Sequence, residues 1–197
     1  MSFVNLVSGG LDSTLIGVMA SEEGIECYPL FINYGQRAAS IEWETCKSVH
    51  TKFNLPSPAL MDLSGFGSLI ASGLTSEKLD IKNDAFTPGR NLIFLLMGSV
   101  YAYQQGATSV AIGLLSEKFS LFPDQKLNFI EQAEATITVA LGRRIKVLTP
   151  LIEFSKKDVI KLAQAKKITG TYSCHTGYLQ PCGRCIACLE YQNNKEG

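Results

Sequence analysis

Six consecutive residues near the amino terminus, Ser8-Gly9-Gly10-Leu11-Asp12-Ser13, combine the residue types that can hold a phosphate chain. They lie between an apolar run at 3–7, which reads as a strand, and a helical pattern beginning at Leu11. A strand that turns through two glycines into a helix aims several backbone N–H groups at one point. The helix dipole adds positive charge there. Gly9 and Gly10 permit the tight turn and let an anion approach the backbone where no Cβ intervenes. Ser8 and Ser13 add hydroxyl donors. Asp12 repels phosphate unless a divalent cation lies between them, so it reads as Mg²⁺-linked or as a support behind the loop. Serine, aspartate and glycine also build ordinary turns and helix caps. The complete set in a strand-to-helix context is what favours a phosphate site.

A second chemical cluster closes the chain. Cys174, Cys182, Cys185 and Cys188 follow a C-x7-C-x2-C-x2-C spacing, and Gly183 gives the bend between the middle pair. Four thiolates match a tetrahedral Zn²⁺ with Zn–S bonds of ~2.3 Å, and a closed shell of that kind is structural. Closely spaced cysteines also ligate iron–sulfur clusters, so the metal stays open on spacing alone. Cys27 and Cys46 are isolated and read as small buried hydrophobes. His175 adjoins a ligand without being needed as one, and His50 reads as surface or packing.

Two more polar stretches follow apolar runs. Asn33-Tyr34-Gly35-Gln36-Arg37 offers a guanidinium for a phosphate or carboxylate and a ring that can stack on a base. Thr87-Pro88-Gly89-Arg90-Asn91 opens a strongly apolar helix, where a charged arginine needs an anionic partner unless it is exposed.

The elements that must position these groups alternate. Strands are expected at 3–7, 26–32, 59–63, 108–115 and 145–148. Helices are expected at 11–23, 38–53, 91–105, 124–141 and from an N-cap at Ser155 to 166. Residues 64–83 read as a loop with a short helix, and 192–197 as a frayed tail. Alternating strands and helices with nearly continuous apolar strands predict an α/β fold, a Rossmann-like doubly wound parallel sheet. Its ligands bind beyond the carboxyl ends of the strands, where the first loop already lies. We expect a nucleotide-binding α/β domain over 1–166 and a small four-cysteine zinc-binding appendage over 167–197.

The totals exclude some classes of function. A chain of 197 residues fits one domain and buries about 70% of its unfolded surface. Eighteen basic residues balance eighteen acidic ones, so no global field draws the chain to nucleic acid or to an anionic membrane. No apolar run reaches the ~20 residues of a membrane helix. No basic leader precedes an apolar stretch at the amino terminus, and a cytoplasmic location is expected.

The loop at Ser8–Ser13 resembles the pyrophosphate loop of the PP-loop ATP pyrophosphatases of the HUP fold group, and lacks the Gly-Lys-Ser/Thr of a Walker A loop. With the other motifs the chain resembles one family among them, the 7-cyano-7-deazaguanine synthases of queuosine and archaeosine precursor biosynthesis. The match runs through Tyr34–Arg37, with Glu42 a few residues on, Pro88–Asn91, Thr149–Leu151 and all four C-terminal cysteines. Between 118 and 126 the chain keeps Ser120, Pro123 and Asp124 but places Lys118 and Leu121 where the family has an acidic residue and a glycine.

The resemblance implies ATP with Mg²⁺ held by Ser8, Gly9, Gly10, Leu11, Asp12, Ser13, Tyr34, Gln36 and Asn91. It implies catalytic roles for Asp12, Arg37 and Arg90, contacts to substrate from Arg90 and Asp124, and structural zinc on the four cysteines. The implied reaction adenylates the carboxyl of 7-carboxy-7-deazaguanine, captures ammonia to give an amide, and dehydrates that amide to the nitrile with a second ATP. The implied partners are small molecules and a second copy of the chain in a homodimer. The altered 118–126 strip motivates one alternative, in which the adenylated carboxylate is joined to an amine of a protein partner, as in antiphage-type modification.

Overall fold

The computed structural model describes residues 2–116, 118 and 120–195. Five parallel strands form one sheet: β1 (Ser2–Val7), β2 (Glu26–Asn33), β3 (Ala59–Asp62), β4 (Ser109–Ala111) and β5 (Lys146–Leu148), in the order β3-β2-β1-β4-β5. The chain winds outward from β1 to β3, then crosses back and winds the other way through β4 to β5. The direction reverses between β1 and β4, which opens a crevice beyond their carboxyl ends.

Strand β1 shows why the winding is double. Val4 and Leu6 pack into one buried cluster with α4 (Arg90–Gln105) and α5 (Leu127–Leu141). Phe3 packs into another with α1 (Leu11–Glu22) and α6 (Lys156–Ala165). Both faces are covered, so the strand is apolar at almost every position. Among its buried residues the exception is Asn5, whose amide donates to the carbonyl of Ser13 at 3.0 Å and ties the strand to the first turn of α1. Helix α2 (Ala39–Lys52) covers the end of β2, with Trp43 tilted on Phe31 at 5.3 Å. A short α3 (Ser64–Leu69) follows β3.

Three boundaries differ from the sequence expectation by more than one residue. Strand β4 ends at Ala111 rather than 115, and Ile112 still donates to the carbonyl of Leu148 at 3.0 Å as the chain leaves the ladder. A 3-10 turn at Pro123–Gln125 precedes α5, which starts at Leu127 rather than 124. The expected frayed tail is a helix for most of its length: α7 (Ile186–Lys195) packs on α6, while Glu196 and Gly197 lie outside the described residues. The N-cap at Ser155 holds, with reciprocal bonds between Ser155 and Asp158.

The last segment has a small core of its own. Cys174, Cys185 and Cys188 pack with Leu74, Ile81 and Ala85 from the β3–α4 connection. Tyr172 donates its N–H to the carbonyl of Gly9 at 3.0 Å, so this segment is sewn directly to the amino-terminal loop.

Candidate active site

The amino-terminal loop is shaped by its own side chains. The Ser13 hydroxyl accepts from the Ser8 N–H at 3.3 Å, and the Ser8 hydroxyl accepts from the Gly10 N–H at 3.3 Å. The Thr14 hydroxyl donates to the Gly10 carbonyl at 2.8 Å. Gly9 adopts φ +72, and a Cβ there would lie 2.8 Å from the backbone of Glu42 and Cys46. Its glycine is required by the close approach of α2 as well as by the turn.

The loop floors a cleft of about 340 Å³ at the switch point between β1 and β4. Ser8, Gly10, Leu11, Asp12 and Ser13 line it, and so do Tyr34, Gln36, Arg90 and Asn91. Gly9, Arg37 and Asp124 are not among its lining residues. Arg37 turns the other way: it donates to the Gly73 carbonyl at 3.4 Å and lies 4.0 Å from Glu77. The Asp124 backbone carbonyl accepts from the Asn91 amide at 3.0 Å, so Asn91 fixes the 3-10 turn before α5. Burial raises the pKa of the Asp124 carboxyl, against the pull of Arg90, and its buried Oδ1 has no hydrogen-bond partner among the described residues.

Arg90 is the cation of the upper cleft. It donates to the Tyr34 hydroxyl at 3.4 Å and lies over the rings of Tyr34 and Phe94, at 5.7 and 5.9 Å. Its buried Nε has no hydrogen-bond partner among the described residues. A guanidinium set on two aromatic faces has the chemistry to pair with a carboxylate or a phosphate.

Lys156 is the second cation, and the reading of residue types missed it. Its ammonium binds both carboxylate oxygens of Asp12, at 2.8 and 3.0 Å, and lies 5.2 Å from the ring of Tyr191. Burial pushes its pKa down, but the Asp12 carboxylate beside it wins and holds the ammonium above its usual range. Asp12 therefore pairs with a lysine at the cleft floor. Both residues also line an adjoining cavity of about 200 Å³ that includes Gly113, Ser116 and Glu190.

Glu42 and Glu190 are further acids of the cleft wall among the described residues. The Gln36 amide donates to Oε2 of Glu42 at 2.8 Å, while the Gln36 carbonyl oxygen accepts from the Tyr34 N–H at 2.9 Å. Gln36 thus serves as the clamp that orients Glu42.

The four C-terminal sulfurs all lie within 4.8 Å of one another. Tetrahedral ligation at ~2.3 Å spaces thiolates by ~3.8 Å, so the set fits a single ion. Backbone N–H groups of Cys182, Cys185 and Cys188 donate to the sulfurs of Cys174, Cys182 and Cys185 at 3.3, 3.3 and 3.5 Å. Such bonds stabilise thiolates and fix their directions. Tyr172, Ser173, His175, Ile186, Ala187 and Glu190, all close to these cysteines in sequence, form one wall of the cleft.

With that geometry fixed, the comparisons with known proteins decide the family. The model for queuosine biosynthesis protein QueC matches residues 2–195. The chain belongs to the QueC family. It is 32% identical to the 7-cyano-7-deazaguanine synthase of Nitratiruptor over 95% of this chain and 90% of that one. It is 32% identical to the 7-cyano-7-deazaguanine synthase of Oceanobacillus iheyensis over 94% of this chain and 89% of that one.

Solved structures share the fold at low identity. A predicted tRNA methyltransferase subunit from Methanocaldococcus jannaschii gives a TM-score of 0.53 at 20% identity, covering 83% of this chain and 74% of its own. The U34-tRNA thiolase NcsA of Methanococcus maripaludis gives 0.53 at 15%, covering 99% and 68%. The expected parallel α/β architecture of the PP-loop proteins, the family and the metal-competent cysteine cluster are thereby established. Among the described residues no helix is long and apolar enough to cross a membrane.

Proposed function

We propose that the chain converts 7-carboxy-7-deazaguanine and ammonia to 7-cyano-7-deazaguanine at the expense of ATP. The observation that carries the reading is the meeting of three features in one cleft of a QueC-family chain. These are the amino-terminal loop, the Lys156–Asp12 pair and the stacked Arg90. The loop N–H groups and Lys156 hold the β and γ phosphates, and Arg90 draws the substrate carboxylate toward the α phosphorus.

A carboxylate oxygen attacks that phosphorus, pyrophosphate departs, and the carboxyl is adenylated. Ammonia then displaces AMP to give the amide. In the second stage the amide oxygen attacks another ATP, pyrophosphate departs again, and elimination of AMP leaves the nitrile. No covalent enzyme intermediate is needed, so positioning and charge neutralisation carry the catalysis. Mg²⁺, when bound with ATP, neutralises phosphate charge, and Asp12 is the nearest carboxylate of this loop to hold it. The Lys156 ammonium, 2.8 Å from the Asp12 carboxylate, fixes the direction of that carboxylate.

The cysteine segment holds structural zinc in this reading. The compact sulfur set supports a single ion, since a cluster spreads its four thiolates over several irons. We read 1–166 as the nucleotide-binding unit and 167–197 as the zinc-binding segment packed upon it. The protein works on small molecules in the cytoplasm and as a homodimer. One observation keeps the protein-conjugating alternative alive: Lys118 and Leu121 are exposed beside cleft-lining Phe122 and Gln125, where an acceptor protein would approach.

Purified protein with ATP, the carboxylic acid and ammonium tests the reading by mass spectrometry. Nitrile formation supports it. An adenylate that persists until a protein amine is supplied selects the alternative.

A further inference from the structure

The cleft holds opposite charges that do not meet. Arg90 from α4 and Glu42 from α2 both line it, and among the described residues they form no ion pair. Asp12, by contrast, is already neutralised by Lys156. The clamp on Glu42 is a neutral amide, which orients the carboxylate without cancelling its charge. The Glu42 backbone carbonyl abuts Gly9, so α2 meets the amino-terminal loop at this residue, and Glu42 lines the same cleft as Ser8 and Gly10. A carboxylate fixed by a neutral clamp, next to the phosphate loop and across from an arginine, suits a small cationic ligand beside an anionic one.

We propose that Glu42 binds the nitrogen nucleophile as ammonium and takes its proton as the C–N bond forms. This deepens the adenylation reading above and rests on it. Ammonium gives one proton to the Glu42 carboxylate and becomes ammonia. The nitrogen lone pair forms the bond to the acyl carbon, the acyl C–O bond to the phosphate breaks, and AMP leaves with that electron pair. The proton that the new amide nitrogen sheds passes to water, and Glu42 returns its own to solvent as product departs.

The electrostatics agree with that task. Burial pushes the Glu42 carboxyl up to about 7, against the Gln36 hydrogen bond and Arg90, which pull it down. A base titrating near the working pH moves protons most efficiently. The ionisable groups facing it are Arg90 from α4, Tyr34 from the β2–α2 loop, Tyr172 from the C-terminal segment and Cys46 one turn along α2. Burial holds the pKa values of Tyr34, Tyr172 and Cys46 up, so Arg90 is the charged neighbour of Glu42 across the neutral range.

Three readouts on Glu42→Gln separate this role from simple packing. Carboxylate-dependent exchange of pyrophosphate into ATP reports adenylation. Ammonium-dependent product formation reports capture. Hydroxylamine, unprotonated at neutral pH, reports capture that needs no base. The expected result is a ~100-fold or larger loss with ammonium, the range of a general base, with far smaller losses in exchange and hydroxamate formation.

Parallel losses in all three, in a variant whose melting temperature does not fall, overturn the proposal. If the variant does not fold, the wild-type pH profile decides. Capture of ammonium shows an acid limb near the Glu42 titration that capture of hydroxylamine lacks, and identical profiles overturn the assignment. Wild-type protein without carboxylate-dependent exchange overturns the adenylation reading itself, and this proposal with it.

Discussion

The two walls of the cleft are held by different physics. On one side the amino-terminal loop grows out of β1, the central strand, whose neighbours on both faces are buried, and its turn is set by bonds among Ser8, Gly10, Ser13 and Thr14. On the other side the wall from Tyr172 to Glu190 has a modest apolar core built around thiols. The first wall is stabilised by the main hydrophobic core. The second depends on four sulfurs that repel one another as thiolates unless a cation joins them. A metal on these cysteines would steady the cleft as well as its own segment, because Tyr172 ties the second wall to Gly9.

Removing the metal should separate the walls most. Cys185→Ser, or a strong chelator, removes local folding energy on the order of 10 kcal/mol. The expected outcome is early proteolytic cleavage within 171–195 and weakened ATP binding, measured by limited digestion and calorimetry. A soluble, zinc-free variant with an unchanged melting temperature would make the two walls alike and refute the structural assignment.

The cations of the cleft come next. Arg90→Ala should lower kcat/KM by 10²–10³, the size expected for one charged donor in a preorganised site. Arg37→Ala should change kcat/KM far less and act on stability, because its guanidinium braces the 73–77 loop outside the cleft. Equal kinetic losses for the two arginines would contradict this geometry.

Asp12→Ala strands a buried Lys156 ammonium, and breaking such a pair costs about 3–5 kcal/mol. The pair's stabilisation is present at neutral pH and is lost as pH rises through the raised Lys156 pKa. Wild-type stability should therefore fall in alkali more steeply than that of Lys156→Met/Asp12→Asn, as thermal melts across that range will show.

The smallest effect has the opposite sign. Glu42 binds protons more readily folded than unfolded, so its burial costs stability as pH rises from about 4.5 through about 7. Glu42→Gln should raise the melting temperature at pH 8 and leave it nearly unchanged at pH 4, where wild-type Glu42 is already neutral.

The sequence showed clearly whatever was local. The glycine turn at 8–13, the Cys-x2-Cys pairs and the N-cap at Ser155 each lie within a few residues, and their types announce their local geometry. Lys156 did not announce itself, because Asp12 is 144 residues away and Ser-Lys-Lys-Asp reads as a solvated helix start. Arg37 adjoins Gln36, yet the loop sends one out of the cleft and the other into it, a choice made by contacts with Gly73 and Glu77. Helix α7 was hidden because its polar sequence has weak periodicity and its packing surface is supplied by the cysteine segment and α6. Strand β4 looked longer than it is because the apolar residues after Ala111 continue into the cleft wall at Ile112 and Leu114 rather than along the ladder.

The account rests on attack at the α phosphorus of ATP held by the amino-terminal loop. Nucleotide products resolved by chromatography, in a reaction supplied with the deazaguanine carboxylate and ammonium, test that directly. The account predicts AMP and pyrophosphate, two of each per nitrile formed; ADP and orthophosphate would contradict it.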